Sequence, residues 1–184
     1  MSLRVISGIA KGRKLKSVPG DTTRPVMDRV KEALFNILAD DVINSNWWDL
    51  FGGTGAIGIE AISRGAAFVR FTDLNRAPVE TIKENVDHCG FARHVEIRRG
   101  DAFSLLAAKA DKRFEYIYIA PPQYKQMWLM ALKLIDDNVA WLTEDGTVIV
   151  QIDPTEHEQV ELKNLIEGEQ RRYGSTLLVF YDRT

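Results

Sequence analysis

The chain of 184 residues is long enough for one α/β domain with a full hydrophobic core, and short for two domains of ordinary size. Its hydrophobic fraction of 45%, charged fraction of 27% and net charge of −2 are typical of a soluble globular protein. The single cysteine excludes an internal disulfide, and no cysteine–histidine cluster predicts a metal site. Because no apolar run could span a bilayer and no secretory signal is visible, we expect a cytoplasmic protein without membrane contact.

The first part of the chain is basic. Two short stretches, Arg4–Gly8 and Gly12–Lys16, flank a glycine-bounded turn and predict a β-hairpin. We therefore divide the chain into a hairpin extension over residues 1–22 and a main domain over residues 23–184. The hairpin contains no acidic residue and is suited to contacts with nucleic-acid phosphates, although a solvated basic hairpin would have the same pattern. Its basic residues are Arg4, Lys11, Arg13, Lys14 and Lys16.

The remaining residues alternate between strand and helix patterns. A helix with apolar positions from Val30 to Leu38 comes first. Strands are then predicted at 47–51, 67–73, 94–99, 115–120 and 147–152, with helices at 56–64, 76–88, 102–109 and 125–136. The pair Asp145-Gly146 predicts a turn before the last of these strands. We expect a further helix at 156–165 and a closing hairpin of 170–173 with 176–181. This order predicts a doubly wound, mainly parallel sheet.

The most informative stretch follows the strand at 47–51. Asp49-Leu50-Phe51 runs into Gly52-Gly53-Thr54-Gly55, and a helical pattern begins at Ala56. Glycines let the backbone turn sharply and approach a ligand, which would lie at the end of the strand and the N-terminus of the helix. A carboxylate ahead of the glycines favours a cofactor with a cationic amino group, such as S-adenosylmethionine, over a dinucleotide.

Acidic residues also end the next two strands. Asp73 lies where a carboxylate can accept both ribose hydroxyls, and Asp101 could accept from an adenine amino group. A glycine-rich turn alone can reflect tight strand–helix packing, but successive acidic strand ends favour a cofactor site. The predicted cofactor-binding residues are Asp49, Phe51, Gly52, Gly53, Gly55, Asp73, Leu74, Asp101 and Ala102.

Motifs along nearly the whole chain resemble one enzyme family. They are the hairpin, Arg24-Pro25 with the helix that begins Asp28-Arg29-Val30, the glycine loop, and Ser63-Arg64-Gly65-Ala66 behind it. The family comprises S-adenosylmethionine-dependent methyltransferases that modify the guanine N2 amine of small-subunit (16S) ribosomal RNA. The resemblance implies a seven-stranded Rossmann-like sheet whose last strand runs antiparallel.

The resemblance also implies the partners. These would be ribosomal RNA or a small-subunit assembly particle. Separately from the resemblance, we expect a monomer that needs no metal. Arg24 and Arg29 belong to the matching motif and lie outside the apolar stripe of their helix. The predicted RNA-binding residues are therefore Arg4, Lys11, Arg13, Lys14, Arg24 and Arg29.

The catalytic motif departs from the family. The family carries Asp or Asn, then Pro-Pro, then Phe or Tyr, so that a side chain and the first proline carbonyl accept from the amine while the ring stacks on the base. This chain has Ala120-Pro121-Pro122-Gln123-Tyr124, in which Ala120 supplies no acceptor and Gln123 replaces the ring. A Pro-Pro pair can also simply terminate a strand.

Two interpretations of this motif remain open. In one, Pro121, Pro122, Gln123 and Tyr124 make the catalytic contacts, with the Pro121 carbonyl and Gln123 accepting from the amine and Tyr124 stacking on the base. In the other, the protein binds cofactor and RNA but transfers methyl slowly or not at all. A DNA amino-methyltransferase would use the same chemistry, but this length leaves little room for a target-recognition domain.

Overall fold

A computed structural model describes residues 3–20, 28–123 and 125–184; Arg24 and Tyr124, which have predicted roles, lie outside the described residues. The helices are α1 (Asp28–Leu38), α2 (Ala56–Ser63), α3 (Arg76–Cys89), α4 (Ala102–Ala107) and α5 (Met127–Asp137). The strands are β1 (Asn46–Asp49), β2 (Phe68–Asp73), β3 (Val95–Arg99), β4 (Phe114–Ile119), β5 (Leu142–Ile152), β6 (Leu165–Tyr173) and β7 (Thr176–Arg183). Within these ranges, no helix is long and apolar enough to cross a bilayer.

The strands form one seven-stranded sheet in the order β3-β2-β1-β4-β5-β7-β6. Strands β1 to β5 pair in parallel, and β7 is antiparallel to both β5 and β6. The predicted doubly wound, mainly parallel sheet with an antiparallel last strand is therefore confirmed. The chain reverses its direction of winding between the adjacent strands β1 and β4. Ligands of open α/β sheets bind at such a reversal, beyond the carboxyl ends of the strands.

Each face of the sheet is covered by its own hydrophobic cluster. On one face, which we call the α1–α3 face, side chains of α1, α2 and α3 pack against Trp47, Phe71 and Tyr118. On the other face, α4 and α5 pack against Trp48 and Ile117. Because both faces are buried, the strands read as nearly continuous apolar runs, which is why the sequence predicted them well.

The predicted helix at 156–165 is wrong. A short 3-10 turn occupies Pro154–Glu156, irregular chain follows, and β6 begins at Leu165. The buried carboxylate of Asp136 accepts hydrogen bonds from the backbone N–H groups of Lys163, Asn164 and Leu165, at 2.8, 2.7 and 3.0 Å. A carboxylate from a distant helix thus satisfies donors that a helix would have used internally.

Strand β5 begins earlier than expected. The pair Asp145-Gly146 lies inside it rather than in a turn that opens it. The pairing of β4 with β5 shifts register between Phe114 and Tyr116, which accommodates the extra length of β5 as a bulge. A Cβ atom on Gly146 would lie 2.9 Å from the Thr143 carbonyl oxygen, so glycine is there for close packing.

The N-terminal segment makes the predicted antiparallel pairing as a single bridge, without the two predicted strands, and packs on the main domain. Arg4 and Lys14 form an antiparallel bridge, flanked by a backbone hydrogen bond from Leu15 to Leu3 at 2.8 Å. Leu3 and Leu15 belong to the hydrophobic cluster of the α1–α3 face. The fully buried Glu60 carboxylate accepts from the backbone N–H groups of residues 6 and 7, at 2.8 and 3.0 Å. The hairpin is therefore held against α2.

Candidate functional site

The glycine loop between β1 and α2 adopts the sharp turn that its composition predicts. Gly53 and Gly55 have φ values of +57° and +82°, in the left-handed region that favours glycine. The Gly52 N–H donates to the Thr72 carbonyl at 2.8 Å, which ties the loop to β2. A Cβ atom on Gly53 would meet no atom of the described residues within 4 Å, so the backbone there faces open space that a ligand could approach.

Asp49 ends β1 with a buried carboxyl group. Its Oδ2 atom accepts a hydrogen bond from the Gly58 N–H at 3.2 Å, and the residue is only 2% exposed. Burial raises the pKa of Asp49 well above its ordinary value; the Gly58 hydrogen bond opposes this shift and the charge of Asp73 adds to it. A cation placed next to Asp49 would offset the cost of burying its negative charge.

Asp73 ends β2 beside the glycine loop. Its Oδ2 atom accepts from the Gly53 N–H and its Oδ1 atom from the Asn75 N–H, both at 3.1 Å. A carboxylate has about four acceptor positions, so two remain for ligand hydroxyls. The half-buried Asp73 is thus fixed in place before any ligand arrives.

Two apolar residues lie next to these groups in the chain, Leu74 directly after Asp73 and Phe51 directly before the glycine loop. Leu74 is 60% exposed, unusually high for a large apolar residue. Phe51 packs edge to face against Phe103 of α4, with ring centroids 6.2 Å apart. Both surfaces are suited to contact with a flat apolar group.

Asp101 has a structural role that the sequence did not predict. It caps α4 by accepting from the backbone N–H groups of Phe103 and Ser104, at 3.4 and 3.3 Å, and from the Ser104 hydroxyl at 2.8 Å. Ala102 is buried at the first position of this helix. Since the cap uses much of its acceptor capacity, contact of Asp101 with an adenine amine stays a prediction.

The Pro-Pro motif lies directly after β4. Asp49 pairs with Tyr118 across the β1–β4 ladder, so the motif and the glycine loop begin at the same edge of the sheet. Ala120 is half-buried against the hydrophobic cluster of the α1–α3 face. Pro121 is half-buried, whereas Pro122 and Gln123 are exposed.

Two polar residues beside this motif were missed by the sequence analysis. The Tyr118 hydroxyl donates to Oε1 of Gln151, a half-buried residue near the carboxyl end of β5. Burial, with a smaller contribution from the charge of Asp49, raises the pKa of Tyr118 well above its ordinary value, so the group stays a phenol. The sequence feature that could have indicated Gln151 is its position as a polar residue within the otherwise apolar run from Val148 to Ile152.

The basic side chains predicted to bind RNA differ in how they are engaged on the N-terminal segment. Lys11 and Lys14 are exposed. Arg4 forms an ion pair with Asp28 at the start of α1, at 3.2 Å. The two lysines therefore point into solvent, whereas Arg4 also holds the segment against α1.

Two further predicted arginines contact other parts of the protein. Arg13 donates to the His88 carbonyl at 2.7 Å, which joins the hairpin to the last turn of α3. Arg29 is exposed, and its guanidinium lies over the ring of Tyr173, 5.7 Å from the ring centroid. Arg29 is thus on the surface, next to the end of β6.

The described residues contain no group of three or more histidine, cysteine, aspartate or glutamate side chains that could hold a metal ion. The same residues do fit the predicted cofactor. Open space above Gly53, free acceptor positions on Asp73 and the buried carboxyl group of Asp49, whose ionised form a cation would stabilise, suit a nucleoside that carries a cationic amino-acid group.

Comparison with known proteins places the chain in a family. The family model described as "Conserved hypothetical protein 95" matches residues 3–182. A Bacillus subtilis relative named "Putative rRNA methyltransferase YlbH" is 36% identical over 183 residues, which cover 98% of this chain and 99% of the relative. The ribosomal RNA small subunit methyltransferase D of Escherichia coli strain K12 is 32% identical over 149 residues, covering 81% of this chain and 74% of that protein.

Solved structures agree on the fold. The structure titled "Putative methyltransferase yhhF from Escherichia coli" superimposes with a TM-score of 0.86 at 30% identity, covering 100% of this chain and 98% of the other. An RNA methyltransferase from Salinibacter ruber, in complex with S-adenosyl-L-homocysteine, gives a TM-score of 0.65 at 17% identity, with 87% and 94% coverage. The chain therefore belongs to the Conserved hypothetical protein 95 family and has the α/β methyltransferase fold.

Proposed function

We propose that this protein transfers a methyl group from S-adenosylmethionine to the exocyclic N2 amine of a guanine in small-subunit ribosomal RNA. The observation that carries the proposal is the pairing of Asp49 with Tyr118 on adjacent strands. This pairing brings the glycine loop and the Pro121-Pro122 motif to one edge of the sheet, at the point where its winding reverses. Similarity to ribosomal RNA methyltransferases over most of the chain supports the substrate class.

The cofactor would lie across the ends of β1, β2 and β3. Asp73 would accept from the ribose hydroxyls, and the charge of Asp49 would balance the cationic end of the cofactor. Gly52, Gly53 and Gly55 would let the backbone approach it. Phe51, Leu74, Asp101 and Ala102 would surround the adenine ring.

The methyl sulfonium supplies an activated methyl group, so the protein has to position the amine and exclude water. The Pro121 carbonyl would accept a hydrogen bond from the amine and aim its lone pair at the methyl carbon. Pro122 would hold this carbonyl rigidly, because both prolines have fixed φ angles. Gln123 would contribute a polar contact and Tyr124 would stack on the extruded base. The amine would release its proton to water.

The RNA would contact the basic surface of the N-terminal extension, which we place at residues 1–22, and the start of α1. The proposed contact residues are Arg4, Lys11, Arg13, Lys14, Arg24 and Arg29. These groups would bind phosphates and orient the RNA, while the motif after β4 would receive the base. The protein would act as a monomer in the cytoplasm, on naked RNA or on an assembling subunit.

The test is methylation of unmodified small-subunit particles with labelled S-adenosylmethionine, followed by mapping of the label. We expect label on N2 of a guanine in the small-subunit RNA, with unmodified large-subunit particles as the control. Label on another atom of the same RNA would support methyl transfer to that RNA but would contradict the N2 assignment. Transfer to DNA but not to RNA would instead favour a DNA amino-methyltransferase.

A second candidate function rests on Ala120, whose methyl side chain supplies no acceptor where the family has one. In this alternative the protein binds cofactor and RNA during subunit assembly and transfers methyl slowly or not at all. Tight binding of both ligands without single-turnover transfer would favour it over the enzyme.

A further inference from the structure

The side chain of Gln151 lies on the same sheet face as Tyr118. Tyr118 of β4 pairs with Ile149 of β5, and both belong to the hydrophobic cluster of the α1–α3 face. Since alternate residues of a strand share a face, Gln151 projects to the side on which Ile149 lies. The hydrogen bond from the Tyr118 hydroxyl to Gln151 Oε1 agrees with this placement.

The register of β4 and β5 places Ala120 near Gln151. Ile119 pairs with Val150 at the end of the ladder; Ala120 directly follows β4 and Gln151 directly follows Val150 in β5, so the register brings the two residues near each other. Ala120 packs against the same cluster as Tyr118 and therefore faces the same side. The position directly after β4 that lacks an acceptor thus lies near a carboxamide supplied by β5.

Tyr118 fixes the orientation of this carboxamide. The phenol is 1% exposed, and its hydroxyl donates to Oε1, which keeps the amide oxygen rather than the amide nitrogen toward Tyr118. An amide oxygen has two lone pairs and Tyr118 uses one, so the other can accept from a substrate N–H group. Gln151 is half-buried, so the group is near the surface where a base could reach it.

We propose that Gln151, oriented by Tyr118, accepts a hydrogen bond from the exocyclic amine of the target base in place of the acceptor missing at Ala120. This inference rests on the proposed methyl transfer to an exocyclic amine. A bond forms between the amine nitrogen and the methyl carbon, the carbon–sulfur bond breaks with its electron pair left on sulfur, and the nitrogen then releases a proton to water. Gln151 is a catalytic residue by this assignment, and Tyr118 is a positioning residue.

The experiment compares Gln151→Met with Gln151→Glu by single-turnover methylation of unmodified small-subunit particles at saturating cofactor. Methionine has a similar size but no strong acceptor, and we expect it to lower the rate on the order of a hundredfold or more. Glutamate keeps an acceptor oxygen, so the rate should stay within about tenfold of wild type. Cofactor affinity, measured by calorimetry, should be unchanged in both variants. Gln159→Met, at an exposed glutamine near β6, is the matched control and should behave as wild type.

A rescue variant separates a catalytic contact from a structural one. Adding Ala120→Asn to Gln151→Met places an amide acceptor directly after β4, and the rate should recover by about tenfold or more. Tyr118→Phe should lower the maximal rate while leaving half-saturation for RNA nearly unchanged. If Gln151→Met is as active as wild type, or if Ala120→Asn does not restore the rate, the assignment of Gln151 is wrong, but the proposed methyltransferase function still stands. If wild type itself transfers no methyl, the proposed function and this assignment both fail.

Discussion

The side chain of Asn85 donates a hydrogen bond to the backbone oxygen of Thr54 in the glycine loop, at 2.9 Å. The same carboxamide donates to the Lys16 carbonyl at 3.0 Å and accepts from the Lys16 N–H at 2.8 Å. Asn85 is only 1% exposed. One buried side chain on α3 therefore joins the proposed cofactor loop to the end of the basic N-terminal segment.

The first prediction follows from this link. Asn85→Ala should lower the free energy of unfolding by roughly 1–3 kcal/mol, because the partly buried backbone groups of Lys16 and Thr54 lose their hydrogen-bond partner. It should also weaken S-adenosylmethionine binding, since the loop at Thr54 loses an anchor. Asn138→Ala is the matched control, because Asn138 also bridges two backbone carbonyls, those of Leu106 and Ala108, at 3.1 and 2.8 Å. The control should lose stability but keep its cofactor affinity, as measured by calorimetry on the folded proteins. Equal S-adenosylmethionine affinities for Asn85→Ala and Asn138→Ala would contradict a role of Asn85 in holding the cofactor loop.

The second prediction concerns Asp73. Asp73→Asn should weaken S-adenosylmethionine affinity by about 1–3 kcal/mol, because the amide is a poorer acceptor for ribose hydroxyls and the charged hydrogen bond to Gly53 disappears. Isothermal titration calorimetry measures the effect. Asp87→Asn, at an exposed aspartate near the end of α3, is the control and should bind as wild type. An unchanged affinity for Asp73→Asn would reject the assigned ribose contact.

The third prediction concerns the buried carboxyl of Asp49. Because burial raises the pKa of Asp49, its carboxyl group binds a proton more tightly in the folded protein than in the unfolded chain, where the pKa of an aspartate is about 3.9. Ionisation of Asp49 therefore destabilises the folded protein, and this loss of stability increases as the pH rises from the unfolded pKa through the raised folded pKa. Asp49→Asn avoids that cost and can still accept from Gly58. We expect the variant to gain roughly 0.5–2 kcal/mol of unfolding free energy above the raised pKa.

Thermal unfolding of the cofactor-free proteins at about pH 5 and about pH 8 checks this sign, since the advantage of Asp49→Asn should be larger at the higher pH. The same variant should bind S-adenosylmethionine more weakly, because it lacks the negative charge that we propose to face the cationic end of the cofactor. A stability difference of the same size at both pH values would show that the charge of Asp49 is not its cause.

The fourth prediction concerns the basic surface of the N-terminal segment. Replacing Lys11 and Lys14 with alanine should weaken binding to small-subunit RNA and lower the salt slope by roughly one unit for each phosphate that is no longer neutralised. Arg4 and Arg13 are left unchanged, because each makes a contact within the protein that its substitution would remove. Cofactor affinity should not change.

Binding measured over a series of salt concentrations gives the slope. The control replaces Lys109 and Lys133, which are exposed on the α4–α5 side of the sheet, and should leave the slope as in wild type. Slopes that coincide for the Lys11/Lys14 variant and wild type would mean that the hairpin is only a solvated basic surface.

Sequence patterns predicted regular elements well wherever burial alone determines them. The strands β1, β2 and β4 read as apolar runs because helices cover both faces of the sheet. The pattern at 156–165 misled for the opposite reason, since the partner of its backbone N–H groups is Asp136, which precedes Lys163 by 27 residues and belongs to another element. A local pattern contains no information about such a distant carboxylate.

The candidate site divides in the same way. The glycine loop, the acidic ends of β1 and β2, and the absence of an acceptor at Ala120 could be predicted from the sequence, because each depends on residue type at a fixed local spacing. The placement of Gln151 near Ala120 and the link from Asn85 to the glycine loop and the N-terminal segment became visible in the folded structure alone. Such contacts arise from strand register and helix packing, which bring together residues that are far apart in the chain.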